Sequence, residues 1–211
     1  MNWLRLNWTQ VVDLTVDHLL LSVPAIVISV LVAVPIGRLA HRRPRWGSPL
    51  LGAASLMYAI PALPLLIIIP AVFGTPLRSS ATMVIALSIY GVALLVRTAA
   101  DAFASVDTHT RDAAVAIGCS PRSLLWRVDL PMALPVLLSG IRVVTVSTIG
   151  LVTIGALIGV SSLGNLLTDG FQRGIAGEVL TGVVVTVLLA LVLDGLLLLA
   201  GRLLTPWRVS A

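Results

Sequence analysis

The sequence predicts an all-α polytopic membrane protein with about five transmembrane helices in a single domain over residues 1–211. Two observations carry this. Hydrophobic residues make up 58% of the chain, against roughly 45–50% in soluble domains. Charged residues are only 11% and cluster between apolar runs long enough to cross a bilayer. There each backbone polar group must be satisfied within a helix.

Charge chemistry excludes several functions. All 14 basic residues are arginine, and there is no lysine. A Walker A loop ends in Gly-Lys-Ser/Thr and lysine-dependent Schiff-base chemistry needs a lysine, so the chain carries neither. ATP-driven work would need a partner subunit. The lone Cys119 forbids an internal disulfide or a cysteine-cluster metal site, and in a cytoplasmic loop it would stay reduced. His18, His41 and His109 lie far apart near expected membrane boundaries, so neither metal nor cofactor is expected. A net charge of +5 would suit nucleic acid. The arginines, however, fall where lipid head groups lie, and positive-inside topology accounts for them without a nucleic-acid partner.

In chain order, residues 1–17 hold Trp3, Leu4, Leu6, Trp8, Val11 and Val12 beside Asp13 and Asp17, the pattern of an interfacial segment. Its basic cluster follows the apolar run, unlike a cleaved leader, so retention is expected. The first span covers about Leu19 to Ile36 and ends in Arg38, His41, Arg42, Arg43 and Arg45. That cluster places the loop in the cytoplasm and the N-terminus outside. The second span, about Leu50 to Phe73, contains Pro61 and Pro64 at its centre and is expected to be kinked or broken. Broken helices line transporter pathways, although a kink that only shapes packing fits equally well.

The third span, about Ala81 to Val96, ends at Arg97, whose side chain can snorkel to the inner face. A cytoplasmic loop over 97–131 follows. The fourth, about Met132 to Val160, carries Gly155 and Gly159 at a small-xxx-small spacing that favours close packing. An outer loop leads to the fifth span, about Val179 to Ala200, closed by Arg202 and Arg208 with Trp207 as an interface anchor. On this topology Arg38, Arg42, Arg43, Arg45, Arg97, Arg111, Arg122, Arg127, Arg202 and Arg208 lie inside. Only Arg5, Arg78 and Arg173 lie outside, and the C-terminus is inside.

Within the cytoplasmic loop, Asp112 to Pro131 reads as two short helices around a hinge. Asp112-Ala113-Ala114-Val115-Ala116-Ile117 favours helix, and its alanines permit close approach. Gly118 suits the left-handed residue that ends a helix. Ser120 is an N-cap, Pro121 fits the first helical position, and the second helix runs through Trp126. Leu130-Pro131 and Leu134-Pro135 are expected to stop it.

This segment resembles the signature of the inner-membrane permease subunits of binding-protein-dependent ABC importers. Asp112-Ala113-Ala114, three residues, Gly118, nine residues, Val128, Asp129 and Leu130-Pro131 match Glu-Ala-Ala…Gly…Ile-x-Leu-Pro at full spacing. Asp replaces Glu and Val replaces Ile. The resemblance implies a type I importer permease of the bacterial cytoplasmic membrane, itself no enzyme. Its segment (Asp112, Ala113, Ala114, Gly118, Ser120, Pro121, Leu130, Pro131) would couple to an ATP-binding subunit. It further implies a second permease half, identical or homologous, and an extracytoplasmic solute-binding protein. Ile60-Pro61-Ala62-Leu63-Pro64-Leu65 is similar to the Ile-Pro-Ser-Leu-Ala-Leu stretch of glycine betaine, carnitine, choline and proline permeases. Ser161-Ser162-Leu163-Gly164 is similar to their Gly-Gly-Leu-Gly.

Two ionisable residues fall well inside spans, Arg142 and Asp194, at similar depths of about 16 and 12 Å from the inner end. Lone charges in lipid are costly, so they are expected to pair, as a structural clamp before a substrate contact. Tyr58 and Tyr90 also share a depth. With Pro61 and Pro64 they are the candidate pathway residues, because tyrosine faces attract quaternary ammonium groups; for the two tyrosines core packing is the preferred role and a pathway lining the alternative. The rival functions are a methionine-type or other small-nutrient permease and, from another class, a secondary transporter.

Overall fold

The computed structural model describes residues 2–206; Trp207 and Arg208 lie outside them. The described residues form helices α1 (Asn2–Leu6), α2 (Trp8–Arg42), α3 (Pro44–Ala59), α4 (Ala62–Phe73), α5 (Ser80–Ala104) and α6 (Thr108–Ala116). These continue as α7 (Pro121–Leu124), a π-helical turn (Leu125–Asp129), α8 (Leu130–Val152), a 3₁₀ segment (Thr153–Ile158), α9 (Gly164–Gln172) and α10 (Ala176–Leu204).

Helix α5 is the centre of the bundle, and α2 makes its most extensive pairing with it. The buried stripe of α2 explains why: His18, Ser22, Ala25, Ser29, Ala33, Gly37 and Ala40 recur every three or four residues. In a membrane the lipid face is apolar too, so the packed face is marked by small residues and by polar side chains that find a partner, as His18 does at the Ile149 carbonyl. Gly37 shows the limit, since a Cβ there would lie 2.5 Å from the Ala99 Cβ and 2.8 Å from the Ala100 nitrogen. Ser29 donates to the Ala25 carbonyl at 2.7 Å and to the Ser88 carbonyl of α5 at 3.2 Å, so the polar atoms at this contact are satisfied. Beyond α5 the stack continues through α8 to α10, which lies at the periphery.

Several expectations are corrected. The helix that carries the first span does not begin near Leu19. Helix α2 runs unbroken from Trp8 for 35 residues, about 52 Å and longer than a hydrocarbon core of about 30 Å. Residues 8–17 therefore do not lie as a separate surface helix. Val11 and Leu14 pack on Leu163 and Leu166, and Asp17 accepts from the Ser161 hydroxyl at 2.6 Å. Helix α5 does not end at Arg97 but continues to Ala104; Arg97 reaches sideways to the Ser55 hydroxyl at 3.4 Å.

Gly155 and Gly159 do not form a helical packing face either. They sit in the 3₁₀ segment and at its end, where Gly159 has φ +80°. The expected outer loop contains α9, whose start is held by Ser162 and Asn165. The Ser162 amide donates to Asn165 Oδ1 at 2.9 Å, and Gly164 donates to the Ser162 hydroxyl at 3.2 Å.

The second span is broken, as the two prolines lead one to expect. Helices α3 and α4 meet at 110° around Ile60-Pro61. Pro61 cannot donate to the Met57 carbonyl nor Pro64 to the Ile60 carbonyl, so the helical ladder loses two rungs within one turn. The Ile60 amide takes the Met57 carbonyl instead, at 3.3 Å.

Candidate functional site

The segment Asp107–Leu130 is built from local rules. Asp107 caps α6, accepting from the Thr110 amide, the Thr110 hydroxyl and the His109 amide. These donors hold its carboxyl below the usual carboxylate range. The cap starts α6 at Thr108, four residues before the expected start at Asp112. Gly118 ends the turn with φ +89°, a conformation costing an L side chain about 1–2 kcal/mol. Ser120 accepts from the Ser123 amide at 3.3 Å, with Pro121 at the first helical position.

Pro131 and Pro135 do not stop the second helix as expected. The π-helical turn Leu125–Asp129 widens the ladder just before Pro131, and the chain passes directly into α8. A widened turn relieves the clash between a proline ring and the carbonyl four residues back. On the outer face Val115, Ile117 and Trp126 are exposed, Ile117 by 84%. Asp112, Ala113, Gly118, Ser120 and Pro121 share that exposed surface, whereas Ala114 is buried and Leu130 and Pro131 are half-buried.

One residue of this segment has a role that sequence reasoning missed. Asp129 is buried, and three arginines converge on it. Arg42 Nη2 donates to Oδ2 at 3.2 Å, Arg111 Nε lies 3.5 Å from Oδ1, and Arg38 Nη2 is 4.0 Å from Oδ2. The carboxylate thus ties the end of α2 to both α6 and the π turn. Beside it, a cavity of about 630 Å³ is lined by His41, Arg42, Arg111, Val115, Cys119 and their neighbours.

Farther along α8, the structure brings Arg142 and Asp194 together. Arg142 Nε and Nη2 donate to the two Asp194 oxygens, each at 2.7 Å, a bidentate fork joining α8 to α10. Tyr58 of α3 and Tyr90 of α5 also meet, edge to face, with ring centroids 6.0 Å apart. The Tyr90 hydroxyl donates to the Ile60 carbonyl, the acceptor that Pro64 leaves without its helical donor. A cavity of about 200 Å³ lies beside the two rings. Pro61 and Pro64 shape the break itself and are not in its lining.

Residues 25–209 match the family described as binding-protein-dependent transport system inner membrane component. The chain belongs to this family. It is a multi-pass permease subunit of the cytoplasmic membrane, and the family's permeases work in ABC importers.

Among similar permeases, the osmoprotectant import permease protein OsmW of Salmonella typhimurium is 34% identical, covering 95% of this chain and 94% of that one. The choline transport system permease protein OpuBB of Bacillus subtilis is 28% identical over 97% and 93%. Among solved structures, the MetNI methionine ABC transporter in an inward-facing conformation matches with a TM-score of 0.73 at 21% identity, covering 92% of this chain and 94% of that one. An amino acid ABC transporter with histidines matches at 0.68 and 18%, covering 96% of each. The shared fold is the type I importer permease fold.

Proposed function

We propose that this permease carries a small compatible solute of the glycine betaine, choline, carnitine or proline type into the cell. It would work as one of two permease halves, identical or homologous, with ATP-binding subunits and an extracytoplasmic solute-binding protein. The single observation that supports the solute class most strongly is the 34% identity to an osmoprotectant permease over 95% of the chain. Asp112, Ala113, Ala114, Gly118, Ser120, Pro121, Leu130 and Pro131 would form or frame the coupling surface. The exposed Val115, Ile117 and Trp126 supply the apolar area that a groove on an ATP-binding subunit would cover.

In this reading the N-terminus is outside and the 97–131 loop and C-terminus are inside, in keeping with the arginine distribution. ATP binding would close the partner subunits, pull on α6 and α7, and shift the bundle between outward and inward access. Energy enters at one site and motion appears at another, which is a coupling between two global states. The chain itself would perform no bond chemistry, since hydrolysis belongs to the partner. The methionine-type alternative has structural neighbours in its favour, but at 21% identity these speak for the fold alone.

Co-purification tests the coupling reading. The wild-type chain should capture ATP-binding subunits encoded beside it, and Gly118→Arg should lose them. Capture by neither form, from protein that is membrane-inserted, would overturn the importer reading in favour of a secondary transporter.

A further inference from the structure

The cavity between α3, α5 and α8 has a chemistry of its own. It encloses about 200 Å³, and its lining includes Tyr58, Tyr90, Ser147 and Thr148, with Leu94, Val144 and Leu151 completing much of the apolar wall. No carboxylate, guanidinium or imidazole is in that lining. The two rings are set at 69° to one another, so an edge and a face meet where they touch. Tyr90 is anchored through its hydroxyl to the Ile60 carbonyl. Tyr58 is 52% exposed and keeps much of its ring uncovered.

We infer that this cavity is a transit site for a quaternary ammonium group, which rests against Tyr58 and Tyr90 as the solute passes. The inference rests on the compatible-solute reading above and adds the place and chemistry of recognition within the membrane. A trimethylammonium group has no N–H to satisfy; it needs polarisable, electron-rich faces, and two tyrosine rings offer them. A metal cation or a primary ammonium would need several oxygen ligands converging on it, and the lining supplies hydroxyls from Ser147 and Thr148 of α8 and from the two tyrosines, that of Tyr90 already donating to Ile60, with no carboxylate among them.

The lack of a carboxylate also fits transit. Passage requires binding strong enough to admit the ion and weak enough to release it. Because Tyr90 holds the carbonyl at the α3–α4 break, movement of that break against α5 would change the ring pair. Ligand affinity would then differ between the two access states.

Tyr58 and Tyr90 are the chain's two tyrosines, so fluorotyrosine labelling places both ¹⁹F resonances at this site. The full-length labelled chain, in nanodiscs, is titrated with tetramethylammonium, with choline and with 3,3-dimethylbutan-1-ol, the neutral carbon isostere of choline. Both resonances should shift saturably with the two cations and not with the alcohol. Tyr58→Leu should weaken the apparent affinity for tetramethylammonium roughly two- to fivefold, and Tyr58→Phe should leave it close to wild type. In parallel, the importer reconstituted with its ATP-binding subunits and binding protein is assayed for choline, glycine betaine, carnitine and proline uptake. Absent shifts, or equal shifts with the alcohol, in a protein that transports choline would overturn the transit site and leave the solute class standing. Failure to transport any of these solutes would overturn the solute class, and the ligand assigned to the cavity with it.

Discussion

Replacing Asp129 by Asn removes one negative charge and almost nothing else. The amide keeps the shape and an acceptor for Arg42, but Arg38, Arg42 and Arg111 then face one another without an anion. At about 4 Å and an effective dielectric near 20, each pair attracts by about 4 kcal/mol before desolvation. Mutual repulsion of the three guanidinium groups and their hydration offset most of it, since their side chains are 23–33% exposed while Asp129 is 7% exposed. The net loss lies between that of an exposed and a fully buried pair, about 1–3 kcal/mol. If the clamp holds α6 against α2, local opening becomes roughly 5- to 150-fold more frequent.

Hydrogen–deuterium exchange of the chain in nanodiscs reads this directly. Amides of α6 and α7 should exchange faster by that factor in Asp129→Asn, while those in the first turns of α10, which pack on α9, stay unchanged. Asp129→Glu should restore much of the protection. Unchanged exchange in α6 and α7 would refute the clamp.

Three further outcomes are expected. Tyr90→Phe removes the donor to the Ile60 carbonyl and should cost about 0.5–1.5 kcal/mol, read as a lower melting temperature in detergent; an unchanged melting temperature would show that the break needs no such support. The Asp107 cap has a sign fixed by its lowered pKa: its contribution is complete above the unfolded carboxylate value near 3.9 and is lost as pH falls through the lower folded value. Exchange protection at the start of α6 should therefore be flat from pH 8 to 5 after correction for intrinsic rates and fall only in stronger acid, with Asp107→Asn showing no such fall. For the fork between α8 and α10, Asp194→Asn should lower the yield of folded protein from membranes, and Arg142→Asp combined with Asp194→Arg should recover part of it. Two single variants as well folded as wild type would remove the case for a structural fork.

The parts of the fold governed by neighbours in sequence were legible before the structure. Gly118, Ser120 and Pro121 could be placed because turn and cap chemistry is local. The broken second span followed from two prolines three residues apart. The corrections come where a longer-range partner outweighs a local rule. Pro131 is accommodated by a π turn whose last residue, Asp129, is held by arginines of α2 and α6, and Pro135 lies inside α8 without ending it. Residues 8–17 looked interfacial because their tryptophans and aspartates are amphipathic, yet α9 supplies a partner that holds them in a longer helix. Asp129 escaped notice because Arg42 stands 87 residues away and the arginine cluster already had an explanation in lipid head groups. One signal was available: Asp129 is the only acidic residue between Asp112 and Asp169, in a loop rich in arginine. A solitary acid among like-charged neighbours is worth reading as their counter-ion.

The most direct measurement is solute uptake by proteoliposomes containing this permease, its ATP-binding subunits and its binding protein. ATP-dependent accumulation of choline or glycine betaine, abolished by Gly118→Arg with the binding protein's affinity unchanged, is the predicted result. Accumulation that proceeds without ATP, or that survives Gly118→Arg undiminished, would contradict the account.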